Sequence, residues 1–378
     1  MGTNLPNIFA PKIATFVESL LTEGKVGICA GSVRVTDIKS GAPSLTNIPC
    51  GDRFKVVIPY AGNSLTWEII FNSCSPDDPP DFLFSAEDKD FWPQIENISH
   101  LANWDNTNPR SLFLVIQELL EEYKKYHQSL KDENARLQWE YNALMEQDNF
   151  SPENVEVWVN KKGNRLGPIN FLMRLDVDFS KIPPYLIGCS PGEDSAVLLV
   201  TFQYPDGGKV LPQLYLSPRV EHALGGAANL RIPAFPSGGC LIDYVPNVRE
   251  LLKNKVDQIV QGHDRRKEYV AACLSAFGRS IIEYDAESFF KISFLLEWND
   301  FFFIVHIELP LYFPVDSPSL TVQSVYHESG GRPYSKVTRE YPYSPRWSGN
   351  EMVERVRTYL LENIAAFQRA SVQNGSLS

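Results

Sequence analysis

The side chains with the most chemical potential in this sequence are its six cysteines, Cys29, Cys50, Cys74, Cys189, Cys240 and Cys273. A thiolate can carry an acyl group, hold a metal or exchange a disulfide, and each use demands a particular neighbour. The closest pair in sequence, Cys29 and Cys50, is 21 positions apart (50 − 29), so no CxxC exists and neither a zinc cage nor a thioredoxin-type pair is indicated. Cys240, after Gly238-Gly239, is the best nucleophile candidate, with His222 eighteen residues earlier as a base. No oxyanion loop or orienting acid accompanies them. Cys273 lies on the apolar stripe of a predicted helix and reads as a core residue. Cys29, Cys50, Cys74 and Cys189 read as structural residues of strands and turns. His306, between Ile304 and Glu308 on one strand face, has no second ligand at metal spacing. Gly225-Gly226 lacks the following lysine of a phosphate loop, and Glu118, Glu121 and Glu122 read as a solvated helix face. No catalytic, cofactor-binding or metal-binding residue is therefore expected.

Two segments have the composition of interface anchors instead, because loops rich in Tyr, Trp and Arg supply most binding energy. Tyr215 to Gly226, with Tyr215, Arg219 and His222, is predicted to be an exposed loop. Tyr341 to Trp347, with Tyr343, Arg346 and Trp347, precedes the last predicted helix. A second reading of the latter stays open, in which Tyr343 and Trp347 pack beneath that helix.

Composition sets the frame for these groups. The chain has 378 residues, enough for two to four domains, and is 43% hydrophobic, which excludes wholesale disorder. A net charge of −11 argues against any broad nucleic-acid surface. No apolar run approaches the ~18 residues of a membrane helix. The opening Met-Gly-Thr-Asn-Leu-Pro has no signal-peptide character, and Pro6 stands where a myristoylation motif wants Ser or Thr. A soluble, multidomain protein of a reducing compartment is expected.

The elements that must position these residues occur three times in similar order. Ile13, Phe16, Val17, Leu20 and Leu21 form a helical stripe over Pro11 to Glu23, ended by Gly24. Phe54, Val56 and Ile58 alternate up to a turn at Ala61-Gly62-Asn63-Ser64, then Leu65, Trp67, Ile69 and Phe71 alternate. Cys74-Ser-Pro-Asp-Asp-Pro-Pro80 leads to a short strand, Asp81-Phe-Leu-Phe84, and a helix predicted from Asn108-Pro109 to about Met145 carries Glu121 and Lys125 as an i, i+4 pair. At the other end, Tyr269 to Phe277 is a helical stripe, and Ile292 to Trp298 and Phe301 to Leu309 alternate around Asn299-Asp300. Pro310 to Pro318 leads to Leu320-Thr-Val322, and Ser348 with Glu351 opens a last helix in capping-box spacing. Between them, Leu198 to Tyr204 alternates up to Pro205-Asp-Gly207, Leu214-Tyr-Leu216 follows Pro212, and Val248 to Val260 is a helix. That helix is set to run through Gly262-His-Asp into the next as one rod.

Helix, meander, proline-rich crossing and helix together resemble the ubiquitin-conjugating enzyme fold and its inactive UEV and RWD branches. Pro76-Asp-Asp-Pro-Pro80 and Phe313-Pro-Val-Asp-Ser-Pro318 stand where that fold has its proline segment. A longer set of motifs is more specific. It comprises Lys25-Val-Gly27, Thr36-Asp-Ile-Lys-Ser-Gly41, Asp52-Arg-Phe-Lys55 with Ile58-Pro-Tyr-Ala-Gly62, and Pro79-Pro-Asp-Phe82. Tyr215-Leu-Ser-Pro-Arg219, Glu221-His-Ala-Leu-Gly-Gly226, Ile232-Pro-Ala-Phe-Pro236, Gly238 to Pro246 and Tyr341-Pro-Tyr-Ser-Pro-Arg-Trp347 complete it. In this order, over about residues 10 to 370, they resemble the BRE family of UEV-repeat subunits in the BRISC and BRCA-A deubiquitinase complexes.

The resemblance implies an α+β chain of three tandem UEV/RWD-like domains, over 1–148, 149–262 (degenerate) and 263–378, each an antiparallel meander with flanking helices. It implies a non-catalytic scaffold joining a JAMM-type zinc deubiquitinase and its inactive MPN partner of the Abraxas or Abro kind. A MERIT-type, von Willebrand A-like subunit would bind the C-terminal domain, and ubiquitin the inactive UEV domains. Catalytic zinc would sit in another subunit, so no cofactor is expected here. Residence in both cytoplasm and nucleus is implied, although Arg265-Arg-Lys267, the one basic cluster, reads more simply as helix surface. An active conjugating enzyme needs a cysteine after its fourth strand. Phe84 to Trp104 contains none, nor a His-Pro-Asn, and no cysteine follows Cys273. Two rival readings remain: a free-standing ubiquitin or peptide receptor, and a cysteine-dependent ubiquitin enzyme using Cys240.

Overall fold

The first predicted stripe becomes helix α1 (Pro11–Glu23), which buries Ile13, Phe16, Val17 and Leu20. Gly24 closes it at φ +59°, donating its N–H to the Leu20 carbonyl at 3.0 Å. In this computed structural model the described residues are 8–29, 31–41, 51–72, 75, 77–86, 88–163, 165–187, 193–205, 207–226 and 230–377, without the side chains of 162 and 377. The readings of Cys50, Cys74, Pro76, Cys189, Asp206 and the first seven residues lie outside the described residues.

Strands β1 (Arg34–Lys39), β2 (Arg53–Tyr60), β3 (Asn63–Ile70) and β4 (Asp81–Leu83) form an antiparallel sheet in that order. Phe54, Val56, Ile58 and Tyr60 alternate inward on β2, and Leu65, Trp67 and Ile69 do so on β3. The turn is Ala61-Gly62 alone, with both residues at positive φ (43° and 78°), rather than the four residues expected, because Asn63 already pairs with Tyr60. Helices α2 (Ser99–Ala102), α3 (Ser111–Asp132) and α4 (Ala135–Met145) follow. The single helix expected to Met145 is thus two. Asn134 leaves helical geometry, and its Oδ1 accepts the N–H groups of Arg136 and Leu137 at 3.0 and 3.2 Å, an N-cap that starts α4 afresh. The expected Glu121–Lys125 pair is replaced by Glu121–Lys124 and Glu122–Lys125, both at 2.6 Å and i, i+3.

A second antiparallel sheet has the order β5 (Val155–Lys162), β6 (Arg165–Leu175), β7 (Ala196–Tyr204), β8 (Gly207–Leu216). Both faces of β7 are covered, since Val197 and Leu199 join the core beneath the first sheet while Leu198, Val200 and Phe202 are also buried. Short helices α5 (Pro184–Ile187) and α6 (Pro218–Ala223) flank this stretch in sequence. The segment expected as a loop from Tyr215 to Gly226 is therefore the end of β8 and then α6. Helix α7 (Leu241–Phe277) is one uninterrupted element of 37 residues, as the rod reading expected. Pro246 in its second turn has no N–H for the Ile242 carbonyl, and Gln147 Nε2 supplies the missing donor at 3.1 Å.

The third sheet has the order β13 (Arg332–Thr338), β12 (Ser319–Ser329), β11 (Phe301–Glu308), β10 (Lys291–Trp298), β9 (Ile281–Tyr284). Asn299 and Asp300 turn β10 into β11 with φ of 46° and 61°. Ile292, Phe294, Phe303, Val305, Ile307 and Leu320 face one core with Tyr269, Val270 and Cys273 of α7. Helix α8 (Gly349–Asn374) closes that core with Met352, Val356, Leu360, Ile364 and Phe367, and β14 (Ser376–Leu377) pairs with β12. Ser348 Oγ caps α8 by accepting the Glu351 N–H at 3.3 Å.

The fold is thus α+β, with three antiparallel sheets among the described residues. The chain divides into two compact units: Met1–Val177 with Gly192–Ser217 and Arg231–Glu250, and Asp178–Pro191 with Pro218–Leu230 and Leu251–Ser378. No described helix is long and apolar enough to cross a membrane.

Candidate functional site

Each described thiol sits where a thiolate is disfavoured. Cys29 is buried and its Sγ faces Glu156 Oε2 at 3.7 Å; burial first, then that carboxylate, push its pKa up to about 12. Cys273 is wholly buried and raised by desolvation. Cys240 is half-buried just before α7, and burial, then Glu140 and Asp243, raise it while Arg136 offsets part of the effect. An activated nucleophile needs the opposite surroundings. His222, the base suggested by sequence, lies on α6 and belongs to the other unit. His306 uses both ring nitrogens structurally, Nδ1 with Ser293 Oγ at 2.7 Å and Nε2 with Gln323 Oε1 at 3.4 Å.

Sequence reasoning missed a buried polar node in the first unit. Glu156, on β5 between Val155 and Val157, is 1% exposed. Its carboxylate accepts the N–H of Ile28 at 2.8 Å and of Ala61 at 2.9 Å, and burial raises its pKa against those two bonds. Gly27, at φ +82°, is obligatory beside it, because a Cβ there would overlap Glu156 Oε1. Asn170 on β6 continues the node, donating to the Ala61 carbonyl at 2.9 Å and accepting from Thr201 Oγ1 at 2.8 Å. Tyr60 donates its hydroxyl to the Val157 carbonyl at 2.9 Å. His127 Nδ1 accepts the Val159 N–H at 3.1 Å, and burial pushes this histidine down to about 3, so it stays neutral. The one available signal was a lone Glu flanked by apolar strand residues.

The docking residues suggested by sequence are distributed as follows. Tyr215 is exposed on β8, and its hydroxyl donates to Gln213 Oε1 at 2.9 Å. Arg219 is half-buried and His222 exposed on α6. Tyr343, Arg346 and Trp347 come together at the entry to α8. Tyr343 donates to the Pro314 carbonyl at 2.5 Å and is pushed up to about 12 by burial. Trp347 packs on the third-sheet core, with the Arg355 guanidinium 5.2 Å from its ring centre, and its carbonyl accepts from Arg265 at 2.8 Å. The two aromatics are therefore packed lead-ins to α8, and of the trio only Arg346 is fully exposed.

In this arrangement the described thiols of Cys29, Cys240 and Cys273 are all held toward the protonated form, and the buried polar side chains named above bond to backbone groups; what it offers outward is surface. The chain matches a family model described as Brain and reproductive organ-expressed protein (BRE) over residues 7–328. It is 51% identical over 376 residues to "BRISC and BRCA1-A complex member 2" of Branchiostoma floridae, covering 97% of each chain. It is 49% identical over 376 residues to the protein of the same name from Danio rerio, again covering 97% of each.

Proposed function

Because the chain belongs to the BRE family, we propose that it serves as a non-catalytic scaffold subunit of a JAMM-type deubiquitinase complex of the BRISC and BRCA1-A kind. The observation that carries this reading is similarity over nearly the whole chain to relatives named as members of both complexes. In this reading three tandem UEV-like domains, 1–148, 149–262 and 263–378, each contribute one of the three sheets. The chain holds the metalloprotease with its inactive MPN partner and, through the C-terminal domain, a MERIT-type subunit. Ubiquitin binds the inactive UEV domains, and the protein works in both cytoplasm and nucleus. Raised pKa values at Cys29, Cys240 and Cys273 support the non-catalytic part.

Two experiments separate this reading from its rivals. The isolated chain is expected to form no ubiquitin thioester and to cleave no ubiquitin chain, with Cys240→Ser giving the same background. Any activity lost on that replacement would establish the cysteine-enzyme reading instead. Arg346→Glu is expected to lower recovery of the MERIT-type subunit about tenfold in co-purification, with the melting temperature unchanged, because Arg346 is exposed. Full recovery of every partner contradicts the docking role of this segment.

A further inference from the structure

The first unit carries a cleft that none of the groups above uses. It measures about 480 Å³ and is walled by Tyr126 of α3 and Trp158 of β5, with Asp88, Lys89 and Asp90 along the rim. Next to the cleft, the Tyr123 hydroxyl donates to the rim carboxylate Asp88 Oδ2 at 3.0 Å. Both wall residues are half-buried, so their rings remain reachable from solvent. Three carboxylates, Asp88, Asp90 and Glu133, lie close enough to Tyr126 to raise its phenol after burial has done so, and the cleft lining sets Lys89 and Lys161 against them. Lys161, which also lines the cleft, is engaged by Glu133 at 2.6 Å, and Asp90 is exposed. Beside the rim stands Trp92, 85% exposed, its Nε1 donating to the Lys89 carbonyl at 3.2 Å. Ile95, three residues on, is 61% exposed. Two aromatic walls with carboxylates above them suit a flat cation that is weakly hydrated and stacks on rings, a description that fits guanidinium better than ammonium. An exposed Trp next to an Ile suits an apolar neighbour.

We propose that this cleft receives an arginine side chain from a partner protein, the guanidinium lying against Tyr126 and Trp158 under Asp88 and Asp90, while Trp92 and Ile95 hold an adjacent apolar residue. The assignment does not depend on which complex the chain joins. It is tested with full-length protein carrying 5-fluorotryptophan at its seven Trp positions, titrated with the blocked peptide Gly-Leu-Arg-Leu-Gly and its Lys and Glu counterparts. The arginine peptide is expected to move the Trp92 and Trp158 fluorine resonances together and saturably, the lysine peptide more weakly, and the glutamate peptide not at all. Asp90→Lys, an exposed change, is expected to weaken the arginine titration at least fivefold, while the resonance of core Trp67 stays in place as a control on folding. A titration that moves Trp92 alone or neither residue overturns the proposal. So does one that Asp90→Lys leaves unaltered, or one in which lysine outcompetes arginine.

Discussion

Glu156→Ala destabilises the full-length chain by about 3 kcal/mol in urea unfolding at neutral pH. The replacement strands two buried donors, Ile28 N–H and Ala61 N–H, and each unsatisfied group costs about 1–3 kcal/mol. Relief from holding a carboxylate in a 1% exposed site offsets part of that loss. Glu156→Gln keeps an acceptor oxygen and costs less, about 1 kcal/mol, and it also reports the pH linkage. The folded pKa of Glu156 is raised, so the folded state binds its proton more tightly than the unfolded state does. Stability from this residue is therefore fully present below the unfolded value of about 4.3 and is lost as pH rises through the folded value. Relative to Glu156→Gln, the native chain should lose stability with rising pH across that window and run parallel above it. Parallel curves throughout, or a change below about 0.5 kcal/mol for Glu156→Ala, would contradict the role given to this carboxylate.

Arg266→Ala gives the second large effect, in the other unit. This arginine of α7 is 1% exposed, with Nε donating to the Ser288 carbonyl at 3.1 Å and one terminal nitrogen to the Leu311 carbonyl at 3.0 Å. Its other terminal nitrogen donates to the Tyr185 hydroxyl at 2.7 Å, and Phe290 lies 4.3 Å from the guanidinium carbon. Truncation removes three charge-assisted bonds and the cation–π contact and leaves two carbonyls without their donors, a loss of about 3–4 kcal/mol. Arg266→Lys retains charge but cannot supply the fork, so it should recover less than half. Both are read as shifts of the unfolding midpoint, and a lysine variant as stable as the native chain would contradict the fork geometry.

Much of the fold was legible because it follows one-sided burial. Helix α1, the β2–β3 and β10–β11 hairpins and α8 each bury one face and expose the other, which writes a period into the sequence. Strand β1 was missed for the converse reason: Arg34–Lys39 has no fully buried position, so its apolar residues do not alternate. Strand β6 failed at the other extreme, since Ile169 to Met173 is buried without a break and carries no period two. The break between α3 and α4 turns on one Asn134 side chain, whose capping role shows only when the backbone leaves helical geometry. Candidate site residues were less legible. Tyr343 and Trp347 read from sequence as anchors or as packing, and the structure shows the packing contacts, with Pro314, Arg265 and Arg355, which no spacing announces. Glu156 and Arg266 gave no hint of partners more than a hundred and about twenty residues away in sequence, respectively. Such contacts are set by the fold, not by spacing.

The central claim is that this chain lives as a subunit. Native mass spectrometry of the endogenous protein, isolated at physiological salt, addresses it directly. The account predicts that nearly all of the chain is found in an assembly containing a zinc-dependent deubiquitinase, with chain and metalloprotease leaving together when the complex is dissociated. A dominant free species at 42.8 kDa, or assemblies that contain no deubiquitinase, would contradict it.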